Sequence, residues 1–465
     1  RKVLRKIDLR TIPCVMLLYL ACFVDRSNIG NAKVAGLERD LHLKGIQFNI
    51  ALSAFTITYV IVKIPSNHIL RKVGAKIWLP FLVFCWGVVT VFSAFMSNYA
   101  SLLAVRAVLG LCEGGLQPGV ILYLSSLYRP EELQLRVGLS FCSTALSHIL
   151  GGFLAFAIHR RMDGFAGKAA WSWIFIIEGT LTIFVAVVVW FFLCSSIETA
   201  PYLTPSEREF AAETLPSLDN ERNTLHSDEF EWFECRRAFL DPQVWLIGLS
   251  ESAISIPLAA LSFFLPTCMS LVSGMGHTGA AAQLFSALPY IPALVTVIAS
   301  ALLADRWRIR GPIVLACVPV GIIGYLMLIF SKSAGTRYAA FFFVVSGLYP
   351  VIPCLVCIIP INTSGVVKRA TCVGIQGMIQ GLSILIAPFI YIKGEPEVKG
   401  HKIALGLACG AWALTAANVL YCHFENSRKA SGRRDHLAAQ YLEQFRAGKT
   451  RAPIGDRSPN FYFTL

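Results

Sequence analysis

The stretch Arg106-Ala107-Val108-Leu109-Gly110-Leu111-Cys112-Glu113-Gly114-Gly115-Leu116-Gln117-Pro118-Gly119 places two opposite charges inside an otherwise apolar run. Seven residues apart on a helix, Arg106 and Glu113 lie nearly on one face, roughly 10 Å apart along the axis. Gly110, Gly114 and Gly115 leave room for a neighbouring helix or a ligand to approach the backbone, and Pro118 permits a bend. At bilayer depth each such charge costs on the order of 3 kcal/mol. The seam is therefore either a functional site or a structural Arg-Glu lock between helices.

Composition puts this seam in a membrane. The chain has 465 residues, 55% of them hydrophobic and 15% charged, with a mean hydropathy of +0.61, which describes a polytopic membrane protein and not a string of soluble domains. The net charge of +13 is scattered through short loops, so it reads as membrane topology and excludes a nucleic-acid partner. The 14 cysteines sit mostly in apolar runs without paired spacing, and Cys354-Leu355-Val356-Cys357 lacks a second pair for zinc. They read as small core residues, with neither disulfides nor a metal expected. The first apolar run continues as a long span without a small-residue cleavage site, so no cleavable signal peptide is expected.

Outward from the seam, apolar runs and polar turns predict twelve membrane spans. The first is residues 11–35, after a basic amphipathic lead, and carries Asp25-Arg26-Ser27-Asn28-Ile29-Gly30-Asn31-Ala32-Lys33 in its second half, which no lipid-facing helix would tolerate. The second is 47–70, the third 77–95, the fourth holds the seam and ends near Tyr128, the fifth is 137–158 with His148, and the sixth runs from Trp171 and Trp173 to 194 with Glu178. Residues 195–241 turn acidic and polar and form a linker, where Thr204-Pro205-Ser206-Glu207 signals a capped surface helix through Leu215. Spans seven to twelve follow at 242–266, 282–304, 313–330, 338–359, 372–392 and 403–424, and the tail 425–465 reads as partly disordered. The expected organisation is an N-terminal six-helix bundle (1–194), a cytoplasmic linker, a C-terminal bundle (242–424) and a cytoplasmic tail. Lys and Arg concentrate in the turns on the side of both termini, which assigns that side to the cytoplasm. A basic, glycine-containing turn after span two (Arg71 to Gly74) is echoed after span eight (Asp305 to Gly311). A repeat of six spans is the architecture of a rocking-bundle transporter.

The chain resembles the major facilitator superfamily, and within it the fungal anion:cation symporters related to allantoate and nicotinate permeases. The likeness rests on the Asp25 to Lys33 stretch, Pro65-Ser66-Asn67, the seam, Met162-Asp163-Gly164, Trp173-Ile174-Phe175-Ile176-Ile177-Glu178-Gly179, Asp305-Arg306, Lys368-Arg369-Ala370 and Ala387-Pro388-Phe389-Ile390-Tyr391. The resemblance implies secondary active transport of a small organic anion, usually a carboxylate, coupled to protons, through a central cavity between two six-helix halves. Departures stand at sensitive places: Lys63 where the family usually has glutamate, Ser172 where the tryptophan pair usually flanks an arginine, and Gly381, Ser383 and Ile384 where it has an asparagine and paired glycines.

The candidate substrate and coupling residues are Asp25, Arg26, Asn28, Lys63, Arg106, Glu113, His148, Glu178 and Glu251. Asp25 is expected to pair with Arg106, so that protonating the carboxylate frees the arginine, whose fork suits a substrate carboxylate, although a permanent buried pair accounts for the same residues. Lys63 would meet the substrate or neutralise Glu113 or Glu251. His148 is a candidate proton relay or a packing histidine, and Glu178 a structural or gating residue. Tyr59, Tyr123, Tyr290 and Tyr349 are placed at the cavity, and Pro257, Pro289, Pro353 and Pro388 are expected to interrupt the second-half spans. Asn362-Thr363-Ser364 fits a glycosylation pattern but falls on the cytoplasmic side. No Ser-His-Asp set, metal-ligand pattern or phosphate loop is present, so neither an enzyme nor a cofactor is expected. The energy source is then an ion gradient, the partners an organic anion, protons and the bilayer, the working unit a monomer and the location the plasma membrane. Proton-antiport export of a fungal metabolite is the nearest alternative, and a transporter-like nutrient receptor a further one.

Overall fold

The computed structural model describes residues 2–128, 130–194, 200, 202–214, 232–271, 279–307, 309–364, 366–391, 397–449, 456, 458–459 and 461–464. Among these every regular element is helical. Span one is Lys2–Val34, span two Gln47–Val73, span three Ala75–Phe92, span five Pro130–Met162, span six Ala170–Phe192, span seven Pro242–Leu271, span nine Gly311–Phe330 and span twelve Glu397–Ala430. Spans four (Tyr99–Glu113, Leu116–Leu127), eight (Gly279–Ala287, Tyr290–Trp307) and ten (Ala334–Leu348, Val351–Asn362) are each built of two helices, and span eleven passes from α-helix (Val366–Ser383) to a 3₁₀ turn (Ile384–Phe389). Among the described residues eleven helices are long and apolar enough to cross a membrane. In the remaining span, number two, the described apolar part is the shorter Gln47–Lys63. The basic lead before residue 11 is continuous with span one.

Three of the breaks have a covalent cause. A proline cannot bond the carbonyl four residues back, and Pro118, Pro353 and Pro388 release the carbonyls of Gly114, Tyr349 and Ile384, the places where spans four, ten and eleven change direction or pitch. Span eight breaks just before Tyr290, beside Pro289. Pro257 breaks the expectation: span seven runs through it as one helix.

The helix pairings recur with an offset of six. Span three packs on span six as nine does on twelve, span two on four as eight on ten, span one on five as seven on eleven, and span one on six as seven on twelve. Between the halves, span five meets span eight, span one meets seven and span two meets eleven. At the end opposite the chain termini the halves touch closely. A Cβ on Gly30 would lie 2.5 Å from the Phe263 carbonyl oxygen, the Gln283 amide donates to the Asn31 carbonyl at 3.0 Å, and the Asn49 amide donates to the Pro388 carbonyl. Large apolar side chains such as Phe184, Phe191 and Phe330 point outward, where lipid lies. None of the fourteen cysteines is in a disulfide.

The end bearing the termini is tied by polar contacts. In the linker, Glu207 N–H donates to Thr204 Oγ1 at 3.3 Å and Thr204 N–H to Glu207 Oε2 at 3.1 Å, capping the helix Pro205–Thr214 as its sequence requires. Residue 215 and the linker stretches 195–199, 201 and 216–231 lie outside the described residues. In the tail, span twelve extends to Ala430, a helix His436–Arg446 follows, and residues 456, 458–459 and 461–464 lie at the terminal end, while 450–455, 457, 460 and 465 lie outside the described residues. Lys368 holds Asp456 at 2.6 Å and Asp241 at 2.7 Å. The Asn362 side chain donates to the Thr464 carbonyl at 3.0 Å and accepts from its N–H at 2.9 Å and its hydroxyl at 3.0 Å. Asn426 makes the same two-way contact with the backbone of Phe463 at 2.8 Å.

Asn362→Ala removes all three contacts to Thr464, and each hydrogen bond contributes roughly 0.5–1.5 kcal/mol. The expected outcome is a tail cleaved faster than wild type in limited proteolysis of the purified protein, with a lowered midpoint of thermal unfolding. An unchanged cleavage pattern would show that the tail does not depend on this residue.

Candidate functional site

Span four is set against span two by its glycines. Asn98 starts it with a capping box, accepting from Ser101 N–H at 2.9 Å. A Cβ on Gly110 would come within 2.3 Å of the Phe55 carbonyl, one on Gly114 within 2.4 Å of the Tyr59 carbonyl, and one on Gly115 within 1.8 Å of Ser66 Oγ. The room these glycines leave is filled by a helix. That close approach brings the seam's charges to the aromatic face of span two and to span one.

Both seam residues are buried, yet they do not serve each other. Glu113 accepts from Arg26 Nε in an ion pair and from Cys22 Sγ at 3.0 Å. The Arg26 guanidinium lies over the Tyr59 ring, 4.7 Å from its centroid, and over Phe23 at 5.3 Å. With Phe55 at 5.9 Å as well, the cation combines a carboxylate with three ring faces. The expected Asp25–Arg106 pair is not formed. Asp25 Oδ2 instead accepts from Trp86 Nε1 at 2.7 Å and Thr182 Oγ1 at 3.0 Å. Asp25 and Arg26 are adjacent, and neighbours on a helix point about 100° apart, so one faces spans three and six and the other faces span four. Arg106 lies over Phe55 at 5.7 Å, and its buried Nε has no hydrogen-bond partner.

Lys63 has Glu251 near enough to interact with it by charge but, among the described residues, makes no ion-pair contact. Its ammonium lies 4.8 Å from the centroid of the Tyr59 ring and faces Gly381 of span eleven, where an added Cβ would sit 3.6 Å from Nζ. The expected neutralisation of Glu113 or Glu251 is therefore absent as a contact: Glu113 is taken by Arg26, and Glu251 accepts from Gln376 Nε2 at 2.7 Å. Tyr59, shared by Arg26 and Lys63, donates its hydroxyl to Gln117 at 3.0 Å. Lys33 is at the span end, paired with Glu38 at 3.3 Å.

His148 lies where the halves meet. Its Nδ1–H donates to the Thr144 carbonyl at 2.7 Å, Nε2 has no partner, and the ring stacks on Tyr290 at 4.4 Å and meets Tyr349 edge-on at 6.0 Å. Beside it a cavity of about 20 Å³, the room of a single water, is lined by Ser27, Asn31, His148 and Tyr290 among others. Of the four tyrosines assigned to the cavity, Tyr290 lines it, Tyr349 packs on that ring at 5.3 Å, and Tyr59 belongs to the cationic cluster. Tyr123 does not belong: its hydroxyl donates to the Cys194 carbonyl at 2.7 Å, at the terminal end. Glu178 is buried in span six beside Asp25, with the Asn28 side chain within hydrogen-bonding reach.

Trp86, Thr182, Cys22 and Gln376 contact the candidate residues and were missed by the sequence reading. Thr182 had a signal, since it follows Glu178 by four residues and so shares its helical face. Trp86 had none beyond being a polar-tipped residue inside an apolar run.

The chain belongs to the Major Facilitator Superfamily, whose family model matches residues 15–388. It is 34% identical over 464 residues to an uncharacterized transporter of Schizosaccharomyces pombe, covering 100% of this chain and 90% of that one. It is 30% identical to the high-affinity nicotinic acid transporter of Saccharomyces cerevisiae, covering 92% of this chain and 79% of that one. Among solved structures, the crystal structure of a D-xylose-proton symporter superposes with a TM-score of 0.65 at 12% identity, over 88% of this chain and 96% of that one. The protein is a multi-pass membrane transporter of this superfamily, and the relatives it matches are named as transporters, not enzymes.

Two glycine variants check the packing and two charge variants the ion pair. Gly110→Ala is expected to destabilise by about 1–3 kcal/mol, since the added carbon meets span-two backbone. Gly406→Ala, with nothing within 4 Å of the new Cβ, is expected to leave thermal unfolding unchanged or raised. Glu113→Gln leaves Arg26 without its counter-charge and is expected to cost about 3 kcal/mol, the lower part of the range for a broken buried pair because Arg26 is partly exposed. A double variant Arg26→Met with Glu113→Gln should recover most of it, read by thermal unfolding in detergent.

Proposed function

We propose that the protein carries a small organic anion, a carboxylate, across the membrane by alternating access and that protons move with it as a symport. The observation that carries the reading is Lys63, a cation facing from span two toward span eleven with no carboxylate in ion-pair distance among the described residues. Arg106, with its unpartnered Nε, supplies a second cation, one that can fork onto a carboxylate where Lys63 acts as a point charge. Both stand beside the aromatic face formed by Phe55 and Tyr59, which suits an acid with a flat or apolar body. The nicotinic acid transporter among the relatives supports a carboxylate cargo.

In this reading the bundles 1–194 and 242–424 rock about the contacts of spans five with eight and two with eleven. The terminal end faces the cytoplasm in this reading, which its excess of Lys and Arg supports. The plasma membrane is the location proposed, and a monomer the working unit.

The test is accumulation of labelled nicotinate-like, ureido and vitamin acids in cells expressing the wild type, Lys63→Met or Arg106→Ala, at acidic and neutral external pH. Uptake by the wild type is expected to be faster at acidic pH. Each variant, at unchanged surface expression, should lose roughly ten- to hundredfold in apparent affinity, the size of a lost charge-assisted contact. Loading of inverted vesicles under a proton gradient, with background uptake by cells, would instead establish proton-antiport export.

A further inference from the structure

The cavity beside His148 is walled by both halves of the molecule. Ser27, Asn31 and His148 come from spans one and five, and Ser262, Ser286 and Tyr290 from spans seven and eight. Asn31 also belongs to the outer closure, its carbonyl accepting from the Gln283 amide. At about 20 Å³ the space admits one group the size of water, a hydroxyl or an amino group. Its wall is unevenly supplied with hydrogens. Ser27 Oγ donates to the Val24 carbonyl at 2.9 Å, Ser262 Oγ to the Ala259 carbonyl at 2.8 Å and Ser286 Oγ to the Gln283 carbonyl at 2.7 Å. Each hydroxyl has given its one hydrogen to its own helix and keeps only lone pairs.

His148 is in the same position. A carbonyl oxygen can only accept, so the contact with Thr144 puts the ring hydrogen on Nδ1. Among the described residues no carboxylate is close enough to hold a charge on the ring, and burial then favours its neutral form. Nε2, buried and without a partner, is left as a lone pair. The Tyr290 and Tyr349 hydroxyls are within hydrogen-bonding reach of each other, which leaves one hydrogen between them, and the Asn31 amide offers one end of each kind. Acceptors therefore outnumber donors around a space for one small group. Packing accounts for the stack of the His148 ring on Tyr290, which a phenylalanine would keep, but not for a buried lone pair.

We infer that this cavity is a subsite for a hydrogen-bond donor of the cargo: the transported acid carries, away from its carboxylate, an O–H or N–H group that His148 Nε2 and the serine hydroxyls receive. A cargo whose other polar atom is only an acceptor sets lone pairs against lone pairs and is rejected. Hydroxy, amino and amide acids fit this rule. A pyridine carboxylate does not, so the preferred cargo differs from the one named for the Saccharomyces cerevisiae relative. The inference rests on the carboxylate reading above and adds a second point of attachment to it. Because both halves build the wall, a donor seated there touches spans one and five on one side and seven and eight on the other.

Calorimetric titration of the purified full chain with meta- and para-hydroxybenzoate and with the matching fluorobenzoates tests this. Fluorine takes nearly the place of a hydroxyl and brings no hydrogen. The wild type is expected to bind the better hydroxy acid roughly ten- to hundredfold more tightly than its fluoro counterpart, the penalty for leaving a buried acceptor unpaired. His148→Phe, which keeps a ring against Tyr290, should reduce that ratio about tenfold, and His148→Gln, whose amide oxygen accepts, should restore part of it. Each variant is confirmed as folded by its monodisperse elution. Equal binding of the two acids by the wild type, or a ratio unmoved by His148→Phe, overturns the subsite and leaves the carboxylate reading standing, with the cavity holding a structural water. The methyl esters of the same acids separate the other case. Esters bound as tightly as the acids, with the same His148-dependent ratio, would keep the donor subsite and remove the carboxylate reading. No binding of any acid or ester overturns both.

Discussion

An ionised side chain in hydrocarbon is stable only where protein, and not lipid, surrounds it, and the pairing of Arg26 with Glu113 meets that condition for spans one and four together. The pair is possible because Gly110, Gly114 and Gly115 let span four lie against span two. The aromatic rings of span two then cover the guanidinium from the other side. Bulkier residues at these glycines would hold the helices apart and leave both charges facing a gap. The polar interior of the first half is in this sense one object. The glycines bring the helices together, the pair neutralises their charge, and Tyr59 and Phe55 supply the surface on which Arg26, Lys63 and Arg106 are arranged.

What remains after that pairing is the part on which the proposed function rests. Lys63 makes no ion-pair contact among the described residues, and the buried Nε of Arg106 has no hydrogen-bond partner. In the proposed reading, a cation short of an acid invites an anion. By contrast the ends are satisfied: Lys33 with Glu38, Arg136 with Asp8, and Arg337 with Glu397.

Span number, the linker helix, the glycine seam and the identity of the interior charges were legible in the sequence, because hydropathy and charge act through composition and spacing alone. Partners were not. Asp25 and Arg26 are neighbours in sequence, yet rotation by one residue sends them to different helices, and only the packed arrangement says which. Proline showed the same limit. Pro118, Pro353 and Pro388 each free a carbonyl at a break, whereas Pro257 sits in a helix whose surroundings keep it continuous. The contacts of Asn362 with Thr464 and of Asn426 with Phe463 were not legible, because side-chain amides on backbone groups leave no pattern in apolar periodicity. Asn362, discounted as a glycosylation site on grounds of sidedness, is in fact occupied with Thr464.

That contact also has a place in time. Asn362 and Thr464 are 102 positions apart, and a ribosome adding roughly 5–20 residues per second takes on the order of 5–20 s to travel between them. During that interval spans eleven and twelve are made and the foot of span ten has no tail to receive. The last polar closure of this bundle is therefore set by the clock of translation, and it completes only after every membrane helix has been delivered.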